Sequence, residues 1–210
     1  MRILVFDTET TGLPKNWKSL DEKDWPYTVQ LSYILYDLTS NKMLVYHDWL
    51  IKISGEISPE AEKIHKISNR KSKVEGVSIH DALTNFNICL QNSDVLVAHN
   101  LKFDKTLLTF EGERNDIDIL NSSLNEYCTM LHGTDLCKIV KTKYWSKEDP
   151  YKWPTLVELH RYLFNSEPDG VHNAMVDVLT CLRCYVKMVH GVDLLNINSK
   201  FKNKFNKYIN

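Results

Sequence analysis

Ile3 to Phe6 is a continuous apolar run that ends abruptly in polar residues, the pattern of a strand buried on both faces. The stretch from Asp7 to Asp24, with Gly12, Pro14 and many charges, is expected to be a loop. Val29, Leu31, Tyr33 and Leu35 then alternate with Gln30, Ser32 and Ile34, which predicts a second strand. A short turn at Thr39–Lys42 leads to a third run from Met43 to Ile51, and so tight a connection favours antiparallel pairing.

Helical signals begin further on. Ser58-Pro59-Glu60 combines a capping residue, a proline at the first helical position and an acid in the first turn, and opens a short helix. A helix is predicted over Ile79–Gln91, a buried strand over Val95–Ala98, and a helix from about Phe103 to Phe110, stopped near Gly112. Glu126–Thr129 reads as a last strand, and Leu156–Phe164 and Ala174–His190 as helices. In the last of these, Val178, Leu182, Tyr185 and Val189 form one apolar stripe. Three strands followed by strands alternating with helices predict an α/β fold. Its mixed five-stranded sheet has its first three strands as an antiparallel meander and is flanked by helices. Residues 1–190 are expected to form the domain, and 191–210, with the KFKNKFNKY run at Lys200–Tyr208, a basic and aromatic C-terminal appendage.

Composition narrows the picture modestly. The chain has 210 residues, 43% of them hydrophobic and 25% charged, an ordinary globular balance for one domain with a substantial core. No apolar run approaches a membrane span or a secretory leader, so no membrane partner is expected. Five irregularly spaced cysteines argue for reduced thiols in a cytoplasmic or nuclear compartment rather than a secreted protein. Cys181-x-x-Cys184 has no second pair and reads as helix packing. A formal net charge of −1 means that binding to nucleic acid would have to come from local basic regions and metal ions.

Asp7 and Glu9 stand two apart just past the first strand, so in extended chain both carboxylates lie on one side. Alone, such a pair is common. Asp104, however, follows a second buried strand, and Asp177 stands near the start of the last helix, five residues after His172. Gathered carboxylates repel one another and raise each other's pKa, and a divalent cation reverses that cost. Two such ions roughly 4 Å apart can serve hydrolysis of a phosphodiester, and a histidine can take the proton of the attacking water near neutral pH.

FDTETTGLP with Asp7 and Glu9, AHNLKFD with Asp104, and HNAMVD with His172 and Asp177 resemble, in this order, the three motifs of the DEDD exonuclease superfamily, histidine subclass. PEAEKIHKIS at Pro59–Ser68 resembles a fourth segment of that family, with Lys66 where many relatives have glycine. The resemblance spans about residues 1–189 and implies a ribonuclease H-like fold and 3′–5′ exonuclease activity. It implies that Asp7, Glu9, Asp104 and Asp177 hold two divalent cations, Mg²⁺ with Mn²⁺ as substitute. It makes His172 the base, and Thr10, Thr11, Leu13, His99, Asn100 and Phe103 the walls around the terminal nucleotide.

The substrate expected is the 3′ end of single-stranded nucleic acid, DNA ahead of RNA, with nucleoside 5′-monophosphates as products. An exoribonuclease and a polymerase-associated proofreading subunit are the alternatives, and a homodimer or polymerase partner stays open. A non-catalytic binding module would lack a metal ligand or the base, and all five residues are present. KTKYWSKEDPYKW at Lys141–Trp153 interleaves four lysines with four aromatics, a composition suited to a single-strand platform, as is that of the Lys200–Tyr208 run.

Overall fold

The computed structural model describes residues 1–119, 124–141, 150–170 and 172–209. In chain order its elements are β1 (Arg2–Thr10), β2 (Thr28–Asp37), β3 (Lys42–Leu50), α1 (Pro59–His65), α2 (Asn69–Glu75), α3 (Ile79–Gln91), β4 (Val95–Ala98), α4 (Leu101–Arg114), β5 (Asn125–Cys128), α5 (Thr129–Cys137), α6 (Leu156–Phe164), α7 (Ala174–His190), α8 (Leu194–Ile197) and α9 (Ser199–Ile209). The strands form one sheet in the order β3-β2-β1-β4-β5. β1–β2 and β2–β3 pair antiparallel, and β1–β4 and β4–β5 pair parallel. The mixed five-stranded sheet with its leading meander is therefore as the hydrophobic pattern predicts.

The central strand, β1, serves two cores. Leu4 and Phe6 face a cluster with Leu31, Tyr33, Leu83 and Phe86, under α3 and α4. Ile3 and Val5 face the other side, against Ile34, Val97, Leu179 and Leu182, under α7. This two-sided burial explains the unbroken apolar run, and the pleat carries the same alternation into the polar residues that follow.

Four details depart from the hydrophobic pattern. β1 does not stop at Phe6: residues 7–10 remain extended because β2 pairs with them, Asp7 opposite Ser32 and Glu9 opposite Gln30, up to an irregularity at Glu9/Thr10. α4 begins at Leu101 and runs through Gly112 to Arg114. A Cβ at Gly112 would lie 2.5 Å from the Ile117 carbonyl oxygen, so the glycine permits a close chain approach inside the helix rather than ending it. The short helices α2 and α8 carry too few residues for a readable period, and α5 buries Thr129 and Gly133 while Leu131 and Leu136 are exposed, so it shows no apolar stripe.

The C-terminal segment is the fourth departure. Read as an appendage, residues 191–210 instead contribute to the α7-side core: Leu194, Phe201, Phe205 and Ile209 are buried in it. The run of four lysines and three aromatics is an amphipathic helix, its phenylalanines spaced four apart on the inner face. Most of the Lys141–Trp153 run lies outside the described residues. At its base, Val140 and Tyr151 form an antiparallel bridge, and Trp153 is exposed.

Candidate active site

The alternation along β1 determines which helix each acidic residue meets. Asp7 and Glu9 continue the Ile3/Val5 side and face α7, where Asp177 sits in the first turn. Carboxylate oxygens of Asp7, Glu9 and Asp177 all lie within 4.8 Å of one another. Thr8 continues the Leu4/Phe6 side and faces α4, where Asp104 sits in the first turn. Asp104 Oδ1 accepts hydrogen bonds from the Thr8 N–H at 3.2 Å and the Thr8 hydroxyl at 2.7 Å. Two helices thus deliver their first-turn acids to one strand end, where helix dipoles favour negative charge.

The four carboxylates are electrostatically uncomfortable as they stand. Burial, reinforced by Asp104, Asp177 and Glu9, raises Asp7 well above the carboxylate range. Burial and then Asp177 and Asp104 raise Glu9 to about 8. Burial raises Asp104 to about 7 against the opposing Thr8 hydrogen bonds, and raises Asp177 to about 7 against a hydrogen bond from the His172 N–H. This donor set fits a hard divalent cation: all-oxygen, densely spaced, and short of positive charge. Asp7, Glu9 and Asp177 could share one ion, and Asp104 lies near enough to Asp7 for their charges to repel.

His172 is exposed on the loop before α7, with a left-handed φ of 69°. Its N–H donates to Asp177 Oδ2 at 3.1 Å, which ties the imidazole-bearing residue to a carboxylate of the cluster. It lines a groove of about 750 Å³ shared with Trp49, His65, Lys66 and Lys71. Lys66, at the glycine-like position, caps α1 with φ 61°.

The remaining sequence-predicted residues divide. Thr10 and Thr11 shape the loop beyond β1: the Thr10 hydroxyl donates to the Gly12 carbonyl at 2.6 Å, and the Thr11 hydroxyl accepts from the Tyr27 N–H at 3.0 Å. His65 Nδ1 accepts from the Ile67 N–H, so its Nε2 donates to the Thr10 carbonyl at 3.2 Å. Leu13 is 74% exposed on that loop. Phe103 packs at 5.6 Å from Trp17 and 5.8 Å from Trp25, ring centre to ring centre. Asn100 begins α4 with a left-handed φ of 74°.

His99 is placed otherwise than expected. Both ring nitrogens are engaged within the protein: Nε2 donates to the Pro154 carbonyl at 3.1 Å, and Nδ1 accepts from the Thr129 hydroxyl at 3.0 Å. Burial depresses its pKa to about 4. It is a neutral strut between β4, α5 and the approach to α6, with no nitrogen left for a nucleotide.

A polar row was not legible beforehand. Asp7, Ser32 and Asp48 lie side by side across β1, β2 and β3. Asp48 Oδ1 accepts from the Ser32 hydroxyl and from Gln30 Nε2, each at 2.7 Å. Gln30 Oε1 in turn accepts from the Ala174 N–H, at the first residue of α7, at 3.3 Å. The available signal was that Gln30 and Ser32 interrupt an otherwise apolar strand; their partner on β3 depends on the register.

Comparison with known proteins follows the same lines. The family model described as Exonuclease (RNase_T) matches residues 4–185. The DNA polymerase III subunit epsilon of Buchnera aphidicola subsp. Acyrthosiphon pisum is 29% identical over 98% of this chain and 81% of that protein. Its counterpart from the Schizaphis graminum subspecies is 25% identical over 99% and 83%. Among solved structures, E. coli Exonuclease I in complex with a 5cy-dT13 oligonucleotide superposes with a TM-score of 0.67 at 17% identity, over 90% of this chain and 41% of that one. A zinc-bound Exonuclease I–ssDNA complex gives 0.65 at 16%, over 93% and 42%. The chain thus spans about two-fifths of Exonuclease I, and that likeness is one of fold. No helix among the described residues is long and apolar enough to cross a membrane.

Proposed function

We propose that this chain, which belongs to the RNase_T exonuclease family, removes nucleotides one at a time from the 3′ end of single-stranded DNA, releasing nucleoside 5′-monophosphates with the help of two Mg²⁺ ions, for which Mn²⁺ substitutes. One observation carries the reading: Asp7, Glu9 and Asp177 converge within 4.8 Å, with Asp104 held beside them by Thr8 and His172 tied to Asp177.

Asp7, Glu9 and Asp177 would hold one cation, and Asp7 with Asp104 the other. The cations, when bound, supply the positive charge that offsets the carboxylates and stabilises charge growing on the phosphodiester. His172 takes the proton of the attacking water from the solvent side of the cluster. Leu13 and Phe103 grip the terminal base, and Thr10 and Thr11 hold the loop that presents Leu13.

DNA is favoured over RNA because the similar structures are Exonuclease I with dT and dA oligonucleotides and the relatives are DNA polymerase subunits. The epsilon likeness over 98% of the chain also favours a second setting for the same chemistry, proofreading beside a polymerase. End-labelled DNA and RNA of one sequence, single- and double-stranded, with free or blocked 3′ ends, test the reading. Mononucleotides released from free 3′ ends of single-stranded DNA, only with added Mg²⁺ or Mn²⁺, are expected. Internal cleavage, or full activity in chelator, overturns it.

A further inference from the structure

Trp17 is 56% exposed, an unusual position for so large an apolar side chain. It is not a frayed residue. Its loop is cross-tied, with the Lys15 N–H donating to the Asp24 carbonyl at 2.8 Å and Trp25 Nε1 donating to the Ser19 carbonyl at 3.2 Å. Arg114, from the end of α4, donates to the carbonyls of Glu22, Trp25 and Pro26 and fixes the loop's far end. Beneath it, Trp25 is buried and packs 5.5 Å from Phe110. Trp17 rests on this foundation, 5.6 Å from Phe103 and 6.4 Å from Trp25.

The result is a rigid aromatic wall of Trp17, Phe103 and Trp25, of which Trp17 is the outermost ring and presents open surface. The wall adjoins the carboxylate cluster through Phe103, which directly precedes Asp104 in α4 and lies 5.6 Å from Trp17. Lys15 and Lys18 flank Trp17 in sequence and are exposed, as is Lys102 next to Phe103, and Asp24, bonded through its backbone to Lys15, is the acidic residue nearest to them. Exposed aromatics with adjacent lysines suit stacked bases whose phosphates run alongside. Nucleotides in a strand follow one another at ~3.4 Å along its axis. A ring 5.6 Å from Phe103 stands at a separation comparable with one to two such steps, the span between a terminal base held at Phe103 and a base upstream of it.

We infer that Trp17 is a stacking subsite for a base upstream of the 3′-terminal nucleotide, so that the enzyme grips a strand by more than its last residue. The inference rests on the exonuclease reading above. The test compares kcat/KM for a single-stranded decanucleotide with that for the p-nitrophenyl ester of thymidine 5′-monophosphate, which has no upstream base. Trp17→Ala is expected to lower the decanucleotide-to-ester ratio about tenfold, chiefly through KM on the strand, and Trp17→Phe to restore most of it. A ratio within about twofold of wild type in Trp17→Ala overturns the inference. So does a Trp17→Phe variant as impaired as Trp17→Ala with an equally lowered melting temperature, which makes the ring a structural cover. Failure of the wild-type protein to cleave either substrate instead overturns the exonuclease reading, and the inference with it.

Discussion

Thr8 grips Asp104 twice, through its N–H at 3.2 Å and its hydroxyl at 2.7 Å. These bonds favour the ionised carboxylate and oppose the upward pull of burial. Thr8→Val keeps the shape and the N–H but removes the hydroxyl. Losing a buried charge-assisted bond should cost on the order of 1–3 kcal/mol of stability. If Asp104 holds a cation, as proposed, it must ionise to do so, and the acid limb of the pH–rate profile should also move upward. A profile superimposable on wild type at saturating Mg²⁺ would remove Thr8 from the account.

The raised pKa values give the cluster a defined sign of pH dependence. In the metal-free protein Glu9 titrates near 8, and Asp104 and Asp177 near 7. Unfolded carboxyls titrate at about 4. The folded state therefore holds protons more tightly, so the stability is fully present below about pH 4 and is lost as pH rises through 7 to 8. In chelator, the melting temperature should fall between pH 5 and pH 8.5 by roughly 5 °C or more, and saturating Mg²⁺ should restore it. Asp7→Asn should melt higher than wild type in chelator at the alkaline end, lose the metal-induced rise and lose cleavage. Activity above about a tenth of wild type would be incompatible with Asp7 as a metal ligand.

Much of this architecture was legible in the chain because it rests on local periodicity. The two-sided strand at Ile3–Phe6, the buried Val95–Ala98 and the striped helix at Ala174–His190 are each written in contiguous residues. The order of the acidic motifs then told which element ends must meet. What escaped depended on contacts distant in sequence. Asp48 and Gln30 come together only in the β2–β3 register, and His99 is occupied by Thr129 and Pro154, 30 and 55 residues away. The C-terminal run misled for a different reason: its lysines suggest a solvated tail, but at helical spacing its phenylalanines share one face.

That last point is directly testable. Phe201 is fully buried in the α7-side core, packed 5.9 Å from Phe205. Phe201→Ala should destabilise the whole protein by about 3–5 kcal/mol in denaturant unfolding, the usual cost of emptying such a site. A loss below about 1 kcal/mol would mean that the helix is a detachable appendage after all.

Gln30 couples the sheet to α7. With its amide nitrogen on Asp48 and its oxygen on the Ala174 N–H, it fixes the start of the helix that carries Asp177 and adjoins His172. Gln30→Leu fills the space but leaves the Ala174 N–H without its acceptor, and a buried unpaired donor costs about 1–3 kcal/mol. On the proposed reading a fall in kcat of about tenfold with a smaller change in KM is expected, since the start of α7, with Asp177 and the neighbouring His172, would shift. A pure KM effect would assign Gln30 to substrate binding instead.

His172 offers the sharpest separation of chemistry from geometry. Its φ of 69° is one that glycine adopts freely and alanine does not. If the residue served only to shape the loop, His172→Gly would retain activity and His172→Ala would lose it. As the base, it should be missed equally in both. Each variant is then expected to lose about 10²–10⁴-fold in kcat with a much smaller change in substrate affinity, and the glycine variant should melt higher than the alanine one. Single-turnover rates and equilibrium binding of a labelled strand, measured on both variants, read the two roles independently.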